Sequence, residues 1–263
     1  MLLIGEYLVT NLVISGLVPF TTIDMPGKNA AVIFCQGCPW RCRYCHNTHL
    51  QKPQTCSSIK WDTILIWLES RKGLLDALVF SGGEPTLQNG LKEAMHEVKA
   101  MGFEVGLHTG GYNCETLNKI MPTLDWIGLD IKSPKSIYDQ ITGVSNSGKS
   151  AWESLRLVLD SGIDYEIRTT YHPDLLTESN MLALAIELAR ANVKNWVIQT
   201  FRSKGCTDSA LVANQHTSQS NAFLNRLEDL FLEYADNHTL NSISHETNSN
   251  PIRTELKCKF LIR

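Results

Sequence analysis

VIFCQGCPWRCRYCHN, residues 32–47, carries four cysteines within eleven positions: Cys35, Cys38, Cys42 and Cys45. Two chemistries compete for them. Four thiolates could close a structural zinc site. Alternatively, three could hold a metal group and leave one position open. Zinc knots generally use two Cys-x2-Cys pairs separated by a longer loop. Here only three residues separate the pairs, which crowds one tetrahedral ion. An iron–sulfur cube tolerates close cysteines, because four irons spread the thiolates apart. A cube on three cysteines keeps one iron free for a ligand, as catalytic metal sites keep an open position.

Around this segment, apolar runs alternate with amphipathic ones. AAVIFC (30–35), DALVFSGGE (76–84), FEVGLHTGG (103–111), LDWIGLDIK (124–132), DYEIRTTYHP (164–173) and NWVIQTF (195–201) have the length and composition of buried strands. WDTILIWLESR (61–71), LKEAMHEVKAMG (91–102), CETLNKIMP (114–122), AWESLRLVLDSG (151–162) and TESNMLALAIELARAN (177–192) have helical spacing between them. The alternation predicts an α/β fold with a parallel sheet. Periodicity alone leaves a closed barrel, an open partial barrel and a doubly wound sheet as alternatives. In each, sites form at the carboxyl ends of the strands. The cysteines, SGGE, HTGG, DIK and HP all follow strand ends, so one face collects them.

Beyond residue 202 the pattern changes. AFLNRLEDLFLEYA (222–235) is an amphipathic helix with Phe223, Leu227, Leu230, Phe231 and Tyr234 on one side. DNHTLNSISHETNSNP (236–251) reads as a loop, and IRTELKCKFLIR (252–263) as a possible strand. The expected organisation is a barrel domain over 1–203 and a helix and tail over 204–263.

Charged residues make up 19% and apolar residues 43%, with a net charge of −3, the balance of a globular protein without a general field for nucleic acid. The opening MLLIGEYLVTNLVISG lacks the positive start of a signal peptide and contains Glu6. No run approaches the roughly 18 apolar residues of a membrane span. The expectation is a cytoplasmic protein with reduced thiols and neither nucleic acid nor membrane as partner.

Cys38, Cys42, Tyr44 and Cys45 spell C-x3-C-x-aromatic-C, which resembles the radical S-adenosylmethionine enzymes. TTIDMPGK (21–28), YCHN (44–47), SGGEP (81–85) and DIK (130–132) are similar to elements of the glycyl-radical-enzyme activases. The form CQGCPWRCRYCHN is closest to the activating protein of anaerobic ribonucleoside-triphosphate reductase. The resemblance spans residues 15–203 and implies a partial (β/α)6 barrel. It implies one [4Fe-4S] cluster on Cys38, Cys42 and Cys45, with Cys35 a buried non-ligand. The free iron would bind S-adenosylmethionine, whose cleavage yields a 5′-deoxyadenosyl radical that abstracts hydrogen. Tyr44 and His46 would flank the adenine, and Gly82, Gly83 and Glu84 the methionine end. Asp130, Ile131 and Lys132 would lie along the cofactor, and Arg168 and Gln199 near its ribose or carboxylate. The implied partners are a glycyl radical enzyme, foremost anaerobic ribonucleotide reductase, and an electron donor such as flavodoxin or ferredoxin. Two positions depart from the activase pattern: His108 stands where an aspartate is frequent, and Gln199 where a histidine is common. His108 reads as a satisfied structural histidine.

GVSNSGKS (143–150) matches the phosphate-binding pattern G-x4-G-K-S, with Lys149 and Ser150 in the chemical positions. A P-loop follows an apolar strand. The preceding PKSIYDQIT is polar and begins with proline, so a loop leading into a helix at Ala151 is the better reading. A P-loop hydrolase and a zinc-stabilised binding module remain the competitors outside the radical class.

Overall fold

Short apolar runs become the strands of one sheet whose spatial order follows the sequence: β1 (Ile14–Thr21), β2 (Ala30–Cys35), β3 (Ala77–Gly82), β4 (Glu104–Thr109), β5 (Trp126–Asp130), β6 (Asp164–Tyr171), β7 (Asn195–Thr200) and β8 (Lys259–Ile262). This computed structural model describes residues 12–54, 56–214, 221–243 and 259–262. Pairings from β2 through β8 are parallel, and β1 runs antiparallel to β2. Among the described residues β1 and β8 are the open edges. The six central strands with their helices form the expected partial (β/α)6 barrel, lengthened by one strand at each edge.

The helices are α1 (Trp61–Glu69), α2 (Leu91–Ala100), α3 (Cys114–Ile120), α4 (Tyr138–Thr142), α5 (Ser147–Ser161), α6 (Glu178–Arg190), α7 (Ser209–Ala213) and α8 (Asn221–Ile243). The apolar faces of α1 to α6 pack on the outer face of the sheet in a core containing Ile64, Met95, Leu117, Leu155 and Leu184. A second, smaller cluster of Met25, Ala30, Val32, Ala77, Val79 and Trp126 fills the inside of the barrel below the site. Met25 reaches it from the turn between β1 and β2, so TTIDMPGK closes the barrel floor.

The C-terminal helix buries Phe223, Leu227 and Phe231, as its spacing predicts, with Leu230 and Tyr234 packed partly against the same core. Phe231 meets Trp196 at 5.3 Å between ring centroids, and Phe223 meets Tyr171 at 6.0 Å. One core therefore continues across residue 203.

Sequence pattern and structure differ at four places. The pattern does not announce β1: Gly16 and Pro19 interrupt it, and Val18 and Phe20 are exposed at the sheet edge. The expected loop over 236–251 is helical as far as Ile243, the rest lying outside the described residues. A helix already nucleated propagates through polar residues at little cost. In the final run the strand covers Lys259–Ile262 and pairs with β7, while residues 252–258 lie outside the described residues.

The fourth difference removes the P-loop. Helix α5 begins at Ser147, four residues before the expected start, so Gly148, Lys149 and Ser150 are helical. Asn146 sits in the left-handed region at φ 61°, and the Asp139 carboxylate accepts from the N–H groups of Asn146 (2.8 Å) and Ser147 (3.1 Å). Those amides would be needed for phosphate. The Asp139 carboxyl is held below its ordinary range, chiefly by the Asn146 N–H. The element before this turn is the short α4, where a P-loop needs a strand. We expect Asp139→Ala to lower the urea midpoint by uncapping α5. Lys149→Ala should stay within about 0.5 kcal/mol of the parent. Equal losses in the two variants would contradict this account.

Candidate active site

Alternation along the strands builds the upper barrel. Ser81, His108, Asp130, Arg168, Thr170 and Gln199 lie on the inner face and line one cavity of about 200 Å³ at the carboxyl ends. Cys38, Trp40, Cys42, Tyr44, Cys45 and His46 cover it from the loop after β2. Gly82, Gly83, Glu84 and Lys132 complete its wall.

That loop is tied down at both ends. The Gly37 N–H donates to the Leu50 carbonyl (2.7 Å) and the Cys38 N–H to Gln51 (3.1 Å). Buried Gln36 donates through Nε2 to the carbonyls of His49 (3.1 Å) and Lys52 (2.6 Å). Arg41 closes the middle, with Nη1 donating to the Cys38 carbonyl at 2.6 Å.

The glycine turn docks against the start of this loop. Gly83 N–H donates to the Cys35 carbonyl (2.9 Å) and Glu84 N–H to the Gly37 carbonyl (2.8 Å). A Cβ at Gly82 would overlap the Cys35 backbone, and one at Gly83 the Gly37 carbonyl. Gly82 also holds φ at +123°, open to glycine. Cys35 is fully buried, its thiol pushed up to about 12 by desolvation and then Glu84, and it does not line the cavity.

Glu84 is buried, and its two oxygens are engaged within the protein. Oε1 accepts from Thr86 Oγ1 (2.6 Å), Thr109 Oγ1 (2.6 Å) and Thr86 N–H (3.2 Å), and Oε2 accepts from Gly110 N–H (2.9 Å). Its observed work is to tie the end of β3 to the end of β4.

Asp130 and Arg168 are register partners on β5 and β6. Arg168 contacts Asp130 Oδ1 through Nε (3.1 Å) and Nη2 (3.0 Å), and Lys132 Nζ reaches Oδ2 at 3.1 Å. Burial alone would raise the Asp130 carboxyl, but the charges of Lys132 and Arg168 hold it below the usual range. Burial likewise opposes the Lys132 charge, yet the oxygens of Tyr44 and Asp130 keep the ammonium well above its ordinary value. Lys132 Nζ also lies 5.5 Å from the Trp40 ring centroid and 5.7 Å from that of Tyr44. An ammonium has three donors. Lys132 therefore keeps capacity for an anionic ligand group.

Ile131 does not join the cavity. Its neighbours on the strand face inward, so its own side chain is turned out into the helix-side core and is fully buried. Its backbone supports Arg168 and Thr169, whose carbonyl and hydroxyl bond it at 2.9 and 2.7 Å. Of the residues expected along the cofactor, Ile131 is the one whose side chain is not brought into the cavity. Trp40, Asn47, Gln51, Ser81, Thr109, Gly110 and Thr170 also line the cavity and were not singled out by sequence. For Ser81 and Thr170 the clue was present: each stands on the inward alternation of its strand.

His108 is satisfied as a structural histidine. Nε2 donates to the Asp24 carbonyl (2.7 Å), which leaves Nδ1 to accept from Ser81 Oγ (3.4 Å). It anchors the barrel floor to β4. Desolvation first, then the Arg168 charge, lowers its pKa from 6.5 to about 3.

The three remaining thiols suit a cluster. Among the described residues no group of three or more His, Cys, Asp or Glu side chains is placed to hold a single ion. The thiols of Cys38, Cys42 and Cys45 fringe the cavity. The backbone N–H of Trp40 favours the Cys38 thiolate, and N–H donors to sulfur tune cluster potentials. Burial, then Glu84, pushes the Cys38 thiol up to about 12, and burial raises Cys42 as well, so metal loading must expel protons. No Asp or Glu occurs between Asp24 and Asp62. This spares an anionic cluster from like-charge repulsion by the loop that holds it.

The chain belongs to the radical SAM superfamily, whose family model matches residues 32–185. It is an enzyme of that class, which implies an iron–sulfur cluster and S-adenosylmethionine. A Methanocaldococcus jannaschii protein assigned as a glycyl-radical enzyme activating enzyme is 27% identical over 245 residues, 88% of this chain and 96% of its own. The pyruvate formate-lyase-activating enzyme of Clostridium pasteurianum is 29% identical over 170 residues, covering 62% of this chain and 70% of its own. In fold, the chain is similar to Streptococcus suis SuiB bound to S-adenosylmethionine (TM-score 0.58, 13% identity), covering 87% of this chain and 48% of SuiB.

Two outcomes test the geometry. Gly83→Ala should cost about 2 kcal/mol or more, as overpacking a closed contact does; denaturant titration measures it, and an unchanged midpoint would contradict the close approach. His108 folds neutral, so the unfolded chain binds its proton below pH 6.5 while the folded chain refuses it until about 3. Its contribution is present above 6.5 and lost as the pH falls through that window. Stability measured across the window should fall less steeply in His108→Gln. Parallel profiles would contradict the neutral assignment.

Proposed function

We propose that the chain uses one [4Fe-4S] cluster on Cys38, Cys42 and Cys45, together with S-adenosylmethionine, to install a glycyl radical on a partner enzyme. Anaerobic ribonucleoside-triphosphate reductase is the first partner on the motif evidence, with a flavodoxin- or ferredoxin-type electron donor and a cytoplasmic setting. The observation that carries this reading is the convergence of the three thiols, the glycine turn and the Asp130–Lys132–Arg168 group on one cavity. When bound, the cluster and cofactor supply a 5′-deoxyadenosyl radical. The residues present do the holding. Lys132 offers donors to a carboxylate, the glycine turn admits close backbone approach, and Tyr44 and His46 flank a nucleoside. Trp40, Tyr44 and Tyr138 wall the lysine off from water. Hydrogen leaves a glycine Cα as an atom, so no acid–base residue is assigned. The relatives named as activating enzymes support a protein substrate.

Cys38→Ala, Cys42→Ala and Cys45→Ala should each abolish 5′-deoxyadenosine formation, while Cys35→Ala keeps the Fe–S absorbance. The reduced protein, mixed anaerobically with S-adenosylmethionine and anaerobic ribonucleotide reductase, should produce a glycyl-radical EPR doublet. A doublet with a pyruvate formate-lyase alone would reassign the partner. Cofactor cleavage with no doublet on any glycyl radical enzyme would move the function to a small-molecule substrate.

A further inference from the structure

Residues 201–211 follow β7, and by sequence those from 204 onward begin a tail with no assigned role. In the structure they wrap the cysteine loop. Phe201, buried, stacks on His46 with ring centroids 5.7 Å apart and planes 28° apart. His172 meets the same Phe201 edge-on at 4.9 Å and 85°. The Lys204 carbonyl lies 3.3 Å from His46 Nδ1. A carbonyl only accepts, so this contact selects the tautomer with Nδ1 protonated and leaves Nε2 as the acceptor of a neutral ring.

Three further contacts lock the wrap in place. Gly205, at φ 86°, packs so closely on His46 that a Cβ would overlap its carbonyl oxygen. Cys206 Sγ donates to the Arg43 carbonyl at 3.3 Å. Arg43 Nε pairs with Asp208 at 2.7 Å, and Asp208 accepts from the Ala210 and Leu211 N–H groups that open α7. The ring closes where the Leu211 carbonyl accepts from His172 Nε2 at 3.2 Å. The chain between Cys38 and Asn47 forms no helix or strand of its own. Its shape depends on what grips it.

We propose that residues 201–211 are a clasp of the cofactor site, with Phe201 the positioning residue that sets the His46 ring on the nucleoside side. Two sequence-distant segments thus meet on the residue next to Cys45. The clasp rests on the radical SAM membership and on His46 flanking the cofactor, not on the identity of the partner enzyme. Removing the stack should leave the thiols able to load iron while the nucleoside side loosens. Loss of a supporting partner around a metal site typically costs ten- to a hundredfold.

The test uses the full-length reconstituted protein with three readouts: iron content, equilibrium binding of S-adenosylmethionine, and amide hydrogen exchange over residues 41–50 without the cofactor. Phe201→Leu should keep its iron, bind S-adenosylmethionine about tenfold more weakly, and exchange faster over that loop. Phe201→Tyr should restore both. Parental binding in Phe201→Leu, even with faster exchange, would reduce the segment to packing and overturn the proposal. Should Phe201→Leu fail to load iron, Asp208→Asn decides. It cuts the Arg43 pair at a partly exposed site, and weaker binding with faster exchange supports the clasp. Parental values in both readouts overturn it. Because none of these readouts needs a glycyl radical enzyme, a wrong partner assignment would leave them untouched.

Discussion

Buried Glu84 joins three strand ends through its carboxylate and its backbone N–H. Its oxygens take four donors from Thr86, Thr109 and Gly110, and its own N–H holds the Gly37 carbonyl. A buried charge short of hydrogen bonds is costly. The loops after β2, β3 and β4 therefore have little freedom to separate. Gly82 and Gly83 make the same junction possible by letting Cys35 and Gly37 approach to backbone contact. The cysteine loop is thus fastened to the sheet by the chain's own contacts. Only its middle, around Arg43 and His46, relies on residues from beyond β7.

Charge is distributed to match. The segment from Met25 to Trp61 has no acidic residue, while Asp130 is neutralised from two sides by Lys132 and Arg168. His108 stays neutral beside Arg168 and does mechanical work, linking β4 to the turn that closes the barrel floor. Lys132 presents donors to the cavity that results, and the loop that carries the thiols adds no carboxylate of its own. A zinc knot would need neither feature. Nor would a phosphate-binding loop, whose candidate amides are already committed to Asp139.

The six parallel strands were legible because each is a short apolar run, and the site was legible because its chemistry sits directly after those runs. Spacing set the four clustered cysteines apart, and the family resemblance picked Cys38, Cys42 and Cys45 out of them. Neither could say that Glu84 spends its carboxylate on Thr86, Thr109 and Gly110, since those bonds join residues up to 26 apart. The Ile131 side chain stands apart from Asp130 and Lys132 because a motif reads residues consecutively, whereas a strand turns every second side chain outward. β1 was missed for a different reason. An edge strand carrying Gly16 and Pro19, with Val18 and Phe20 exposed, lacks the continuous apolar pattern of a buried one. The early start of α5 depends on Asp139, eight residues before Ser147, which supplies the cap that the segment itself lacks.

The central claim is that three thiols hold a cube with one iron open to S-adenosylmethionine. Its most direct measurement is anaerobic: reconstitute and reduce the protein, add S-adenosylmethionine, and quantify 5′-deoxyadenosine beside iron and zinc. The account predicts cofactor cleavage with about four irons per chain. Zinc in place of iron, with S-adenosylmethionine intact, would contradict it.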